Sequence, residues 1–287
     1  MEETMQPHKE NEKASPIWLC LSIFFIIFIL INFLAPILFQ TIGLLKDAHT
    51  NSIESVLLMQ ITMLTSVVIA AIISLRIEGK PFSDLGLSFS GHSKDLFYGM
   101  TIAIVIYVIG FGILLLMGAV KVTSWNFNPL GLIYSLFFYI LVSLTEEIMV
   151  RGFVLGRLLN TRMNRFVALL LSSIIFSLLH LLNPGISVFS LINIVLAGIL
   201  LGASYLYTRN LAFPLSLHLF WNWIQGPILG FKVSGNDTST SLLSLQLEEN
   251  NPLNGGDFGF EGSILSSILI VIFTIIIIFL HEKKKLS

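Results

Sequence analysis

Charge is scarce in this sequence: Asp, Glu, Lys and Arg make up 11% of 287 residues, against about 25% in an ordinary soluble domain. A soluble globular protein is thereby excluded. An intrinsically disordered chain is excluded as well, because disorder needs low hydrophobicity and a large net charge, whereas 55% of the residues are hydrophobic, 23 are Phe and the formal net charge is -1. No basic stripe interleaved with aromatics exists, and 16 Lys and Arg are offset by 17 Asp and Glu, so nucleic acid is not a partner. Cysteine is all but missing. The single Cys20 cannot form an internal disulfide, and its place inside an apolar run reads as a small buried hydrophobe. There is no GxSxG elbow, no HExxH on one helix and no internal repeat.

What is present is apolar length. A membrane-spanning helix needs about 20 mostly apolar residues, and suitable segments run from Ile17 to Phe39, Val56 to Leu75, Leu96 to Val120, Leu130 to Val150, Phe166 to Leu182, Ile186 to Tyr207, Leu211 to Leu229 and Ser263 to Leu280. The first is too long for a signal-peptide core and lacks a small-x-small cleavage site. These runs predict an all-α fold, a polytopic membrane helix bundle of about eight transmembrane helices. Assigning the loops alternately to two sides puts Lys9, Lys13, Arg76, Lys80, Lys94, Arg151, Arg157, Arg162, Arg165, Arg209 and Lys283 to Lys285 on one side. Only Lys46, Lys121 and Lys232 fall on the other. Basic residues concentrate on the cytoplasmic side, so both termini are expected to be cytoplasmic, in a multi-pass protein of the cell membrane. The segment from Ile77 to Asp95 suits a surface-lying linker, and the polar stretch 230–262 is expected outside.

Titratable groups within a span are costly and point to function. His8, His49, His92 and His281 fall in termini or loops, which leaves His180 in the fifth span and His218 in the seventh; the acids inside are Glu146 and Glu147 in the fourth. Glu147 and Arg151 are four apart, share a helix face and can pair. Glu146, rotated by about 100°, is left free to act. His218 and Asn222 likewise share a face, and Phe176 lies one turn before His180. One water-filled cavity open to the cytoplasm is expected to collect Glu146, His180 and His218. Carboxylate and imidazole there could activate a water, with His218 and the Asn222 amide donating to an oxyanion. The same donors, Glu146, His180 and His218, are also zinc ligand types, so a divalent metal that lowers the pKa of a bound water is the alternative. A carrier using these groups as a relay would show paired repeats and interrupted spans, which are absent.

At these residues the sequence resembles the CPBP family, the CAAX-protease and bacteriocin-processing membrane proteins also called the Abi family. EExxxR reads here as Glu146-Glu147-Ile-Met-Val-Arg151, FxxxH as Phe176-Ser-Leu-Leu-His180 and HxxxN as His218-Leu-Phe-Trp-Asn222. The resemblance implies an intramembrane endopeptidase in which Glu146 activates water, His180 is its partner, His218 and Asn222 form the oxyanion hole, and Glu147 with Arg151 supports them. It covers 130–229, the catalytic core of helices four to seven. Around it lie a cytoplasmic tail 1–16, three spans in 17–129, the outer loop 230–262, and the last span with a basic tail in 263–287. The expected partners are membrane lipid and a peptide or lipoprotein substrate, in a bacterial plasma membrane. The rival is a non-catalytic immunity or scaffold protein of the same fold that binds through the outer loop. The stretch Gly255-Gly256-Asp257-Phe258-Gly259-Phe260-Glu261-Gly262-Ser263 resembles a segment before the last span in some bacterial members and is given no chemistry; its glycines can simply start the final helix.

Overall fold

A computed structural model describes residues 17–45, 52–238, 240–249 and 251–286; the expected tail 1–16, Lys46 and His49 lie outside the described residues. The chain forms α1 (Ile17–Thr41), α2 (Ile53–Ile77), α3 (Ser93–Leu116), α4 (Pro129–Glu147), α5 (Arg165–Leu178), α6 (Val188–Thr208), α7 (Ala212–Trp223) and α8 (Ile264–Leu286). Each expected apolar segment is therefore helical over most of its length. Polar side chains start several of these helices. Asn128 accepts from Gly131 N at 3.0 Å ahead of Pro129, Asn164 accepts from Phe166 N at 2.9 Å, and Ser187 forms a capping box with Ser190; each satisfies amides that the helix itself leaves open.

Among the described residues, six helices are long and apolar enough to cross a bilayer: α1, α2, α3, α4 with its continuation to Leu158, α6 and α8. The fold is thus that of a multi-pass membrane protein. The other two differ from the expected spans, because α5 has 14 residues and α7 has 12, short of the length a lone span needs. Helix α5 stops at Leu178 as the chain turns through Leu179 to Asn183 toward Pro184 and Gly185, and α7 widens at its end into a π-helical turn, Ile224–Ile228, that contains Pro227. Both short helices sit among the others. Every residue from Leu211 to His218 is buried, and α7 packs against α3, α4 and α6 while α5 lies along α6.

One small sheet breaks the all-helical pattern. Strand β1 (Val120–Trp125) pairs antiparallel with β2 (Leu243–Leu247) from the outer loop, with Val120 opposite Leu247 and Trp125 opposite Leu243. The third apolar run was expected to continue to Val120, but Gly118 takes a positive φ of 73°, and Ala119 N bonds back to Leu114 O at 3.0 Å. This is a glycine stop of the helix. The linker after α2 is packed down: Leu85 is buried and Arg157 bonds Glu78 at 2.8 Å and faces Asp84 at 3.5 Å.

Small residues set the closest helix crossings. A Cβ on Gly99 of α3 would meet Phe213 O of α7 at 2.5 Å and Leu217 N at 2.8 Å, and one on Gly198 of α6 would meet Ser173 of α5 at 2.8 Å. By contrast nothing lies within 4 Å of a Cβ on Gly112, also in α3. Gly99→Ala is expected to lower stability in detergent by about 1–3 kcal/mol through overpacking, and Gly112→Ala to leave it unchanged or slightly raised. Thermal unfolding of the two purified variants checks this, and equal melting temperatures would contradict it.

Candidate active site

The candidate site begins where α4 changes its hydrogen bonding. From Ile148 to Leu155 the helix widens to a π-helix, every residue of which is buried; such widened turns recur at functional sites. Arg151 lies in this segment with no exposed surface, and its charge is met at once. Its Nη1 donates to Glu147 Oε1 at 2.7 Å, its Nη2 donates to Gly198 O of α6 at 3.2 Å, and its guanidinium carbon stands 4.3 Å from the centre of the Phe176 ring of α5. Glu147 is equally buried. The same Oε1 accepts from His218 Nδ1 of α7 at 2.8 Å. The expected Glu147–Arg151 pair is present, and it does more than neutralise: it orients a histidine on another helix.

The two histidines are held alike. His180 lies beyond the end of α5, in the turn that follows it, not within a spanning helix as expected, and its Nδ1 meets Phe176 O at 2.8 Å. A carboxylate and a carbonyl only accept, so both rings carry their proton on Nδ1 and present Nε2 inward. His218 Nε2 is 3.7 Å and His180 Nε2 is 4.0 Å from Glu146 Oε2. These separations exceed direct hydrogen bonding and leave room for a water that bridges the three. Glu146 is the accessible member, its side chain 25% exposed against none for Glu147. The Phe176 ring packs edge-on against His180 at 4.8 Å and against His218 at 6.2 Å.

These groups line one cavity of about 490 Å³. Asn222 joins them one turn after His218; it is buried, and its amide makes no hydrogen bond to the described residues. The apolar wall includes Phe28, Met63, Val142 and Leu201. The cavity was expected to open to the cytoplasm, yet Val233, Ser234, Asn236 and Glu261 of the stretch 230–262 also line it. That stretch reaches the catalytic groups because its glycines permit close approach: a Cβ on Gly235 would meet Pro184 O at 1.8 Å, and one on Gly259 would meet Lys232 O at 1.9 Å.

Residues 126–224 match the family described as Rce1-like, type II CAAX prenyl endopeptidase Rce1-like. The chain carries an Rce1-like segment. That match agrees with the CPBP resemblance carried by the three motifs. The Rce1-like segment runs from just before α4 to the start of the π turn after α7, and it contains Glu146, Glu147, Arg151, His180, His218 and Asn222. Comparison with curated proteins and with solved structures returned no match.

One acid of the cavity was given no chemistry in the sequence reading. Glu261 is buried and accepts from Ser234 N, from Ser234 Oγ at 2.8 Å and from Gln225 Nε2 at 3.2 Å. Burial pushes its carboxyl above the ordinary glutamate range, against the pull of the Ser234 and Gln225 hydrogen bonds and of the His180 ring. Gln225 also accepts from the Tyr107 hydroxyl at 2.6 Å, so α3, α7 and the outer loop meet at one polar knot. The nearest signal was the glycine-rich run that ends in Glu261.

For a metal, two inward Nε2 atoms and a carboxylate are suitable donor types. Among the described residues, however, no group of three or more His, Cys, Asp or Glu side chains is arranged to hold an ion, and no step below runs through one. Glu147→Ala would strand Arg151 and release His218. Breaking one side of a buried pair costs about 3–5 kcal/mol, so the variant is expected to lose folded yield, whereas replacing both partners by Leu and Met recovers stability without activity. Size-exclusion profiles and unfolding curves check this; wild-type stability of Glu147→Ala would contradict the pairing.

Proposed function

We propose that the protein is an intramembrane endopeptidase that hydrolyses a peptide bond of a membrane-associated or lipidated substrate with a water activated by Glu146. The observation that carries this reading is the placement of the one accessible carboxylate between two imidazole nitrogens whose tautomers are fixed by their outer partners. Glu146 accepts a proton from the water while His180 Nε2 holds the water in line. The resulting hydroxide attacks the scissile carbonyl carbon. Negative charge then develops on the carbonyl oxygen, where the free amide of Asn222 donates. His218 stands beside it, its ring held by the Nδ1–H bond to Glu147. Collapse breaks the C–N bond, and the proton held by Glu146 passes to the departing amine. The charge asymmetry of the loops supports an orientation with both termini on the cytoplasmic side.

The cavity supports an extended peptide more readily than a purely scaffolding role, because its catalytic groups are neither self-satisfied nor sealed off. In nanodiscs, with lipid-anchored peptides read by mass spectrometry, Glu146→Gln is expected to fold normally and to lose cleavage by about 10²-fold or more. Asn222→Ala is expected to lower kcat by about 10²–10³ with little change in KM. Glu146→Gln protein that cleaves at the wild-type rate would contradict the reading.

A further inference from the structure

Part of the cavity wall is built from the turn after α5 and from the outer loop, and its hydrogen-bond inventory is one-sided. Each donor group there makes at least one bond within the protein. Asn183 Nδ2 donates to Ser234 O at 3.0 Å, Asn236 Nδ2 to Val233 O at 3.4 Å and to Ser234 O at 3.3 Å. All three bonds are to carbonyls, which fixes the amide orientations. The backbone amides of Val233, Gly235 and Asn236 are likewise bonded, to Asn236 O, Phe258 O and Val233 O. Ser234 spends its amide and its hydroxyl on Glu261 Oε1, which Gln225 also reaches.

What remains are acceptors. Among the described residues, Asn183 Oδ1, Asn236 Oδ1 and Glu261 Oε2 make no hydrogen bond, and all three residues line the cavity. Glu261 retains only 8% of its surface and forms no ion pair with a described residue. A buried carboxylate is ordinarily paired with a cation or held by donors on both oxygens; here one oxygen is fully served and the other is offered to the cavity.

We infer that this acceptor-rich corner, Glu261 with Asn183 and Asn236, is a specificity subsite for a primary ammonium group, a lysine side chain or a free N-terminus, on the peptide that enters the catalytic cavity. An ammonium brings three donors and no acceptor, which complements three free acceptors, and it supplies the counter-charge that burial denies Glu261. A carboxylate in the same place would face three acceptors, one of them a buried carboxylate. The apolar wall opposite accommodates the rest of a hydrophobic segment. This inference rests on the protease reading for the presence of a peptide, but the subsite can be tested without turnover.

The probes are apolar Leu/Ala hexapeptides, acetylated and amidated at their ends, each with one lysine scanned through the sequence, and their Nε-acetyl-lysine counterparts. Binding is measured on full-length Glu146→Gln protein in nanodiscs. One lysine register is expected to bind at least about tenfold more tightly than its acetylated twin, the scale of one charged hydrogen bond. Adding Glu261→Gln, which puts donors where Oε2 stood, is expected to erase the difference. Equal binding of lysine and acetyl-lysine peptides in every register, or no binding of either, would overturn the subsite, and neither comparison needs the Glu261 variant to fold. Cleavage of the same peptides by the wild-type protein separates the two claims: hydrolysis without lysine preference would leave the protease reading standing while the subsite falls.

Discussion

The structure turns on a full charge buried in a membrane bundle. Arg151 has no exposed surface, and a guanidinium in that position is tolerated only when its partners are close and correctly aimed. Those partners come from four helices: Glu147 on α4 itself, the Gly198 carbonyl on α6, the Phe176 face on α5 and, through the shared Glu147 oxygen, His218 on α7. The requirement therefore fixes the mutual register of α4, α5, α6 and α7. It also explains the small residues at the crossings. Gly198 must let α5 approach through Ser173 while its own carbonyl faces Arg151, and any side chain there would separate the helices that supply the partners.

From that constraint follows the division of labour between adjacent acids. Glu147 is consumed by Arg151 and by Nδ1 of His218, and Glu146 is the member of the pair left to face the cavity. The imidazoles are aimed from behind, one by Glu147 and one by the Phe176 carbonyl, so both inward nitrogens converge near Glu146 before any substrate arrives. Preorganisation of this kind is where electrostatic catalysis gains most, since the dipoles need not reorganise during reaction. The short length of α5 and α7 belongs to the same design: surrounded by longer helices, they need not cross the bilayer alone, and their ends place His180 and Gln225 beside the outer loop.

Much of this was legible in the sequence because it depends on local periodicity. Eight apolar runs mark the helices, and the four-residue spacing of Glu147 and Arg151 announces their pairing and hence the freedom of Glu146. Phe176 and His180 are four apart as well, although the helix ends between them because Pro184 and Gly185 force an early turn. What was not legible depends on distant parts of the chain. Nothing local says that Val120–Trp125 will pair with Leu243–Leu247, and only folded backbone shows that Gly118 ends a helix that apolar content would continue. Glu261 is the clearest case. Its run of glycines reads as a helix start, but Gly235 and Gly259 let two loop segments stack against Pro184 and Lys232, which carries an acid from the outer stretch into the cavity.

The claim most exposed to contradiction is that hydrolysis proceeds by direct attack of water at Glu146, with no covalent peptidyl-enzyme. Cleavage of an anchored peptide in the presence of hydroxylamine, resolved by mass spectrometry, addresses it directly. The account predicts that the new C-terminus is a carboxylate alone, and that Glu146→Gln protein forms none of it. A hydroxamate product, which requires an acyl intermediate on the protein, or undiminished carboxylate formation by the variant, would contradict it.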